Sequence, residues 1–500
     1  MNGGKSILLT TEGTYPFHAG GVSRWCDNLI KGLDEFSFTI YAIMMNPYIS
    51  YKYDLPQNVS RVIRVPLWGI EEPAEYIQDI NFSRVYLSKR KTTGWKIKKI
   101  FLPLLRDLLR EMADPEKGAK TAGETFYKMH RYFKNNDYNE TFKSRLVWDA
   151  FCQEMLSISK LESENNKNLK EDLPRLYNFT ECLRWLYRFL IPLVAEIPKT
   201  DLVHSTAAAF CSIPCVIGKL AYGTPFLLTE HGVYLREQYM FVSKSKNTYH
   251  SKKFLLNLIG LVSRMSYHYA DQISPVCNYN ATWEEACGAK REKIRTIYNG
   301  VDPRGLTPKK ADPLSRSVVV SATRVDPLKD IETLIRASRI VRQKVADVKF
   351  IVYGSLRNPW YHEHCLKLIH SLGLDGVFIF AGHNDDLNQI YGEGDIVALS
   401  SISEAFPYTV IEAMMCAKAV VATDVGGVSE ALEGCGILVG PKDPEGFGQA
   451  ILQLLEDPDL RNSLGAEARE KALNNFTIER TNNQYRESYL RLCSGVQAEG

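Results

Sequence analysis

The stretch Asp395-Ile396-Val397-Ala398-Leu399-Ser400-Ser401-Ile402-Ser403-Glu404-Ala405-Phe406-Pro407-Tyr408-Thr409-Val410-Ile411-Glu412 decides how this chain folds. Ile396 to Leu399 is a contiguous apolar run and reads as a buried strand. Ser401 to Phe406 is loop chemistry. Pro407 suits a first helical position, where its missing N–H would have no partner anyway. Tyr408 to Ala417 reads as a helix, and Ala419 to Thr423 as the next buried strand. A helix that starts above the carboxyl end of a strand is a ready anion site, because free N–H groups and a positive dipole end meet there. Glu404 and Glu412 flank that start. A carboxylate can accept from two neighbouring hydroxyls, so two of them beside an anion site point to a sugar nucleotide. One would hold sugar hydroxyls, the other ribose hydroxyls. Taken alone, the pair fits equally a solvated loop carboxylate and one on a helix face. The rest of the chain has to decide.

Outward from this unit the second half alternates. Strands are expected at Ser317–Ala322, Lys349–Tyr353 and Val377–Phe380, with helices at Asp330–Val345, His362–Leu372 and Asp386–Tyr391. This βαβαβαβ pattern predicts an α/β doubly wound parallel sheet. Helices follow at 445–456, 458–474 and 478–492, the last after the domain should be complete. Arg324 with Lys329, Gly354, Gly382-His383 and Glu404 all fall where strands meet loops. In an open parallel sheet the carboxyl ends share one crevice, so these residues should converge. An Arg fork and a Lys point charge near a helix start suit a diphosphate; the plain alternative is two exposed cations on a surface turn.

The first half opens the same way. Ser6 to Thr11 reads as a strand, Gly20-Gly21 as a junction where backbone can approach a ligand closely, and Gly21 to Leu33 as a helix. The glycines do not form G-x-G-x-x-G, so a dinucleotide fingerprint is not supported. Strands follow at Phe36–Met44 and Val59–Val65. From about 71 to 200 the texture becomes helical and charged, which reads as an insertion. Within it, Arg84 to Arg110 carries nine Lys/Arg against one acid, Asp107. A basic amphipathic segment can lie on an anionic membrane; a solvated helix packing its other face on its own domain is the preferred reading. Glu181 to Ile197 contains Arg184, Arg188 and Pro192 and reads as a buried helix. Alternation resumes with strands ending at His204 and Thr229, a helix at 207–221, a strand at Gln272–Pro275, a helix at Tyr279–Cys287 and a short strand at Ile294–Ile297. His231 sits just past the carboxyl end of one strand; its plain reading is a loop histidine satisfied by backbone. Asn299 to Pro303 and Pro308 to Pro313 are turn-rich and mark a boundary. The expected domains are 1–303, 304–475 and a terminal helix, 476–500.

Five hundred residues suit two or three domains, and 45% hydrophobic with 24% charged residues is globular composition. A net charge of +3 gives no argument for nucleic acid. Eleven scattered cysteines favour a reducing compartment. Cys211 and Cys215 read as buried thiols rather than a zinc site. The first residues lack a signal-peptide pattern, and no apolar run is long enough to span a membrane. The expectation is a cytoplasmic chain, able to sit at the inner face of a membrane.

Arg324-x4-Lys329 followed by Glu404-x7-Glu412, with Asn299-Gly300-Val301-Asp302 before them, resembles the retaining glycosyltransferases of family 4. The resemblance covers most of 200–475 and the first forty residues. Gly20-Gly21-Val22, His204-Ser205-Thr206, Thr229-Glu230-His231-Gly232-Val233-Tyr234 and the long insertion are similar to the PelF branch, named for a bacterial exopolysaccharide glycosyltransferase. The resemblance implies the GT-B architecture, two facing Rossmann-like domains with the donor bound mainly by the second.

It also implies roles. Arg324 and Lys329 would hold the donor diphosphate and stabilise the leaving group. Glu404 would bind sugar hydroxyls, helped by the Phe406 backbone. The Tyr408 and Thr409 amides would meet the distal phosphate, Glu412 the ribose, and backbone near His383 and Asn384 the base. Gly354 belongs to the same donor set. His231 would lie beside the sugar and the acceptor, and the Gly20-Gly21 amides near the phosphate or acceptor. Front-face attack is implied, with the departing phosphate taking the acceptor proton. No Asp-x-Asp metal motif stands in a suitable loop, so a metal-independent site is expected, and no cofactor, since the nucleotide sugar is a substrate. UDP-glucose, a glycan acceptor and membrane polysaccharide-synthesis proteins as partners are further expectations of the resemblance. Thr323, Asp330 and Pro407 depart from the usual glycines of the family and leave the phosphate contacts open. A sugar-nucleotide-binding scaffold subunit and a GT-B epimerase are the competing functions.

Overall fold

The computed structural model describes residues 4–69, 73, 81–165, 173–308 and 317–495. The expected linker after Pro308 and the start of the insertion at 71–80 lie largely outside these residues. The chain divides into two compact units. The first comprises Met1–Pro275, Ala281–Arg295 and Arg486–Gly500, the second Val276–Asn280 and Thr296–Tyr485.

The first unit is built on six parallel strands: β1 (Ser6–Glu12), β2 (Ser37–Met44), β3 (Val59–Pro66), β4 (Leu202–Ser205), β5 (Phe226–Glu230) and β6 (Gln272–Pro275). Their order is β3-β2-β1-β4-β5-β6. β1 pairs with β2 on one side and β4 on the other, Ile7 opposite Phe38 and Leu202. Leu8, Leu9, Ile40, Val203 and Leu228 are fully buried, as strands covered on both faces require. The insertion is helical, with long helices at Leu102–Ala113, Pro115–Phe133, Arg145–Asn165 and Leu176–Phe189. Its core is continuous with that of the sheet: Tyr41 of β2 donates to the Pro192 carbonyl at 2.8 Å.

The second unit repeats the topology. Its strands are β7 (Val318–Ala322), β8 (Lys349–Tyr353), β9 (Phe378–Gly382), β10 (Ile396–Leu399), β11 (Ala419–Thr423) and β12 (Ile437–Val439). The order β12-β11-β10-β7-β8-β9 is that of the first sheet read from its other edge. Each unit therefore reverses strand order once, between β1 and β4 and between β7 and β10. Those reversals are where open α/β sheets bind ligands.

Several expectations are corrected. Ile294–Ile297 is not a strand: only Ile294 bridges, to Ile273. The helix expected at 181–197 runs Leu176–Phe189, and Pro192 falls in a separate 3-10 turn, since proline breaks an α-helical ladder. The helix expected from Ala207 starts at Ile213 after a 3-10 turn at Phe210–Ser212. Pro407 is extended (φ −75°, ψ 129°) and precedes the helix Tyr408–Met415 rather than opening it. The boundary expected after 303 comes earlier, because Val301 bonds to Phe476 and Ile478 within the second unit. The final helix, Ile478–Ser494, belongs to the second unit through Tyr485 and to the first from Arg486.

Candidate functional site

In the second unit four adjacent parallel strands end at one edge of the sheet. Arg324 follows β7, Gly354 follows β8, His383 follows β9 and Glu404 follows β10. The topology thus brings together residues spread over eighty positions of sequence.

The tightest contact is an ion pair between the Lys329 ammonium and Glu404 Oε1, both mostly buried. Ser401 donates to the same oxygen at 2.6 Å, and Ser400 donates to the Lys329 carbonyl at 2.9 Å. Ile402 N–H donates to the Leu328 carbonyl at 2.8 Å. The loops after β7 and β10 are therefore laced together, with Lys329 and Glu404 held between them. Arg324 is more open, its Nε 3.7 Å from Asp326 Oδ2. Asp330 stands in the left-handed region (φ 46°) at the start of helix Ile331–Lys344. Glycine would take that conformation freely, and Asp tolerates it by local hydrogen bonding: its Oδ2 accepts from Thr333 Oγ1 at 2.7 Å.

The start of helix Tyr408–Met415 is fixed to β7. Thr409 Oγ1 donates to the Ala322 carbonyl at 2.7 Å. Pro407, as cap, offers no side-chain acceptor to the first turn, so the dipole end there is not neutralised by its own cap. Glu412 is buried and accepts from Tyr391 OH at 2.8 Å. Phe406 is a core residue: its ring packs on Tyr298 and Phe476, and its carbonyl accepts from Asn299 Nδ2 at 3.2 Å. His383 and Asn384 lie on an exposed loop, His383 Nε2 3.0 Å from Asp385.

The glycines here have distinct physical reasons. A Cβ on Gly354 would sit 1.9 Å from the Thr323 carbonyl oxygen, and one on Gly426 1.8 Å from the Glu404 carbonyl oxygen. Gly427 N–H donates to the Ala405 carbonyl at 2.7 Å. Only glycine lets these backbones approach the Arg324 and Glu404 loops. The sequence reading passes over Ser401, Tyr391 and Gly426-Gly427. The glycine pair, just past an apolar run, was the legible signal; Tyr391 carried none.

In the first unit His231 follows β5. It is half-buried, Trp25 packs edge-on at 4.6 Å between centroids, and its Nε2 is enclosed without a hydrogen-bond partner. Burial pulls its pKa down to about 3, so the ring is neutral at physiological pH. The backbone-satisfied loop histidine is therefore not what this nitrogen shows. His204 is a structural group: it bonds Tyr489 OH at 2.7 Å and Thr229 Oγ1 at 2.9 Å. Glu230, quoted in the sequence motif without a role, ties the His231 loop, accepting from Tyr234 N–H at 3.0 Å and Tyr267 OH at 2.6 Å. Burial raises Glu230 and Glu12 to about 7. Gly20 is extended (φ 165°), exposed, and an added Cβ would meet nothing within 4 Å. Gly21 is the first residue of helix Gly21–Gly32.

Two six-stranded parallel Rossmann-like sheets with flanking helices define the GT-B fold. Solved structures agree: sucrose-phosphate synthase from Thermosynechococcus elongatus (TM-score 0.63, 16% identity, 98% of this chain and all of that one) and Anabaena HepE in complex with UDP and glucose (TM-score 0.59, 16% identity, 97% and 99%). The chain belongs to the family described as domain of unknown function DUF3492, whose model matches residues 5–292. A second model, glycosyl transferases group 1, matches 306–471. Similar curated proteins include D-inositol 3-phosphate glycosyltransferase of Salinispora arenicola, 32% identical over 213 residues, or 38% of this chain and 47% of that protein. N-acetyl-alpha-D-glucosaminyl L-malate synthase of Bacillus anthracis is 27% identical over 209 residues, 39% and 53%. The chain spans about half the length of these relatives.

Proposed function

We propose that this chain is a retaining glycosyltransferase that moves a hexose from a nucleotide sugar to a glycan acceptor. UDP-glucose is the proposed donor and a growing exopolysaccharide the proposed acceptor, as in the PelF branch, with membrane polysaccharide-synthesis proteins as partners of a cytoplasmic enzyme. The observation that carries the reading is the Lys329–Glu404 ion pair, set beside Arg324 and the start of helix Tyr408–Met415 at the strand-order reversal. The names of the curated relatives and the UDP and glucose bound by Anabaena HepE support the same class.

The chemistry follows from charge. Transfer leaves negative charge on the diphosphate, and the cations Arg324 and Lys329 with a helix start stabilise it. Lys329 is held on Glu404; a diphosphate draws the ammonium to itself and releases the carboxylate to accept sugar hydroxyls. One ion pair thus couples phosphate binding to sugar binding. Glu412 is assigned to the ribose, the Phe406 backbone to the sugar, the Tyr408 and Thr409 amides to the distal phosphate, and backbone at Gly354, His383 and Asn384 to the nucleoside side. Retention proceeds by front-face attack, the leaving phosphate oxygen taking the acceptor proton. Neutral His231 is assigned to orient a hydroxyl by hydrogen bonding, and the Gly20 and Gly21 amides to the phosphate or acceptor.

The test is a thermal-shift screen of the purified chain against UDP-, GDP- and ADP-sugars. A ligand that binds only the folded state raises its apparent stability. The expected result is a shift with UDP-sugars that Glu412→Ala abolishes; no shift in a well-folded protein contradicts the reading.

A further inference from the structure

We propose that helix Phe82–Lys91 and the turn Trp95–Ile100, on the surface of the first unit, form a docking surface for an anionic lipid bilayer. The inference is independent of the donor site.

Residues 82–100 contain seven Lys/Arg and no Asp or Glu. In the ten-residue helix Phe82–Lys91 only Val85 is buried. Its large apolar side chains point to solvent: Phe82 is 74% exposed and Tyr86 and Leu87 about half. Phe82 stacks on Tyr86, and the Arg90 guanidinium lies 5.8 Å from the Tyr86 centroid. Asn81 caps the start of the helix, Val85 is buried, and Thr92 just past its end accepts from Asp137 N–H at 2.7 Å.

The next turn repeats the arrangement. Ile97–Phe101 is a single π turn that continues into helix Leu102–Ala113. Ile97, Phe101, Leu102 and Leu105 go into the core, while Trp95 (67% exposed), Lys98, Lys99 and Ile100 face outward. The segment is therefore anchored by one face and presents another that combines aromatic, aliphatic and cationic groups. Among the described residues Arg84, Lys91, Lys98 and Lys99 have no ion-pair partner, whereas Arg106 and Arg110, further on, reach Glu154.

Charge complementarity selects the occupant. Hydrated cations without ion-pair partners are attracted to an anionic surface, and exposed Trp, Phe and Tyr beside them suit the headgroup layer, where amphipathic rings lie. An acidic protein could use the same aromatic groups, but seven cations without one acid over residues 82–100 match a surface of uniform negative charge. No helix among the described residues is long and apolar enough to cross a membrane.

The experiment is co-sedimentation of the full chain with phosphatidylcholine vesicles, with and without phosphatidylglycerol, at low and high salt. Binding is expected only with phosphatidylglycerol and should weaken with salt. Lys98→Ala with Lys99→Ala should lower the partition coefficient about 30-fold. Phe82→Ser with Trp95→Ser should abolish binding without changing charge; these side chains are exposed, and circular dichroism checks the fold. Brominated lipid should quench Trp95, an effect lost in Trp95→Phe. Equal binding to both vesicle types, no binding, or no effect of the two double variants overturns the assignment. So does capture of an acidic protein through Lys98 and Lys99 without any vesicle binding.

Discussion

Lys329 sets its ammonium on Oε1 of Glu404, across the gap between the loops that follow β7 and β10, and Ser401 donates to the same oxygen. The cation proposed for phosphate and the carboxylate proposed for hydroxyls thus neutralise one another.

This coupling should be measurable. Lys329→Ala leaves a mostly buried carboxylate with one neutral donor, and a loss of about 1–3 kcal/mol is expected. Lys329→Ala with Glu404→Ala should recover part of it. Chemical denaturation of the single and double variants gives the coupling energy; strictly additive losses would show that the pair contributes nothing.

Gly354 and Gly20 should separate packing from function. Gly354→Ala drives a methyl into the Thr323 carbonyl and should destabilise by about 2–3 kcal/mol. Gly20→Ala meets open space at an ordinary extended φ, so stability should stay within about 0.5 kcal/mol. If its backbone approaches a substrate, turnover should fall all the same. Denaturation midpoints and initial rates of the two variants decide this.

Two groups of the first unit should give opposite pH slopes. His231 has its folded pKa near 3, below the ordinary 6.5. The unfolded chain then binds the extra proton between those values, and stability falls as pH drops through that window. Glu12 has its folded pKa near 7, above 4.5. There the folded chain holds the extra proton, and stability falls as pH rises from 4.5 to 7. His231→Asn should remove up to about 1.4 kcal/mol per pH unit of acid sensitivity. Glu12→Gln should gain on the parent across 4.5–7 and keep that gain above it. Denaturation at stepped pH checks both signs.

The sequence makes β10, the helix after it and β11 legible because fully buried strands read as apolar runs with turn chemistry between them. The site edge follows from that alternation: parallel strands must place Arg324, Gly354, His383 and Glu404 on one side. What stayed hidden depends on tertiary contact. Tyr391 reaches Glu412 across 21 positions, and Tyr267 reaches Glu230 across 37; neither tyrosine has a local signature. β12 is only three residues long. Helix Tyr234–Lys244 buries just Leu235 and Val242, too few to mark a stripe. Ile294–Ile297 looks like a strand by composition but meets a partner only at Ile294.

The most direct test of the account is nucleotide release from UDP-glucose and a glycan acceptor by the purified chain and its Lys329→Ala and Glu404→Ala variants. Acceptor-dependent release of UDP by the parent chain is expected, with a fall of about a hundredfold or more in each variant while circular dichroism shows the fold intact. Release by the variants at the parental rate, or none by the parent with any nucleotide sugar, would contradict it.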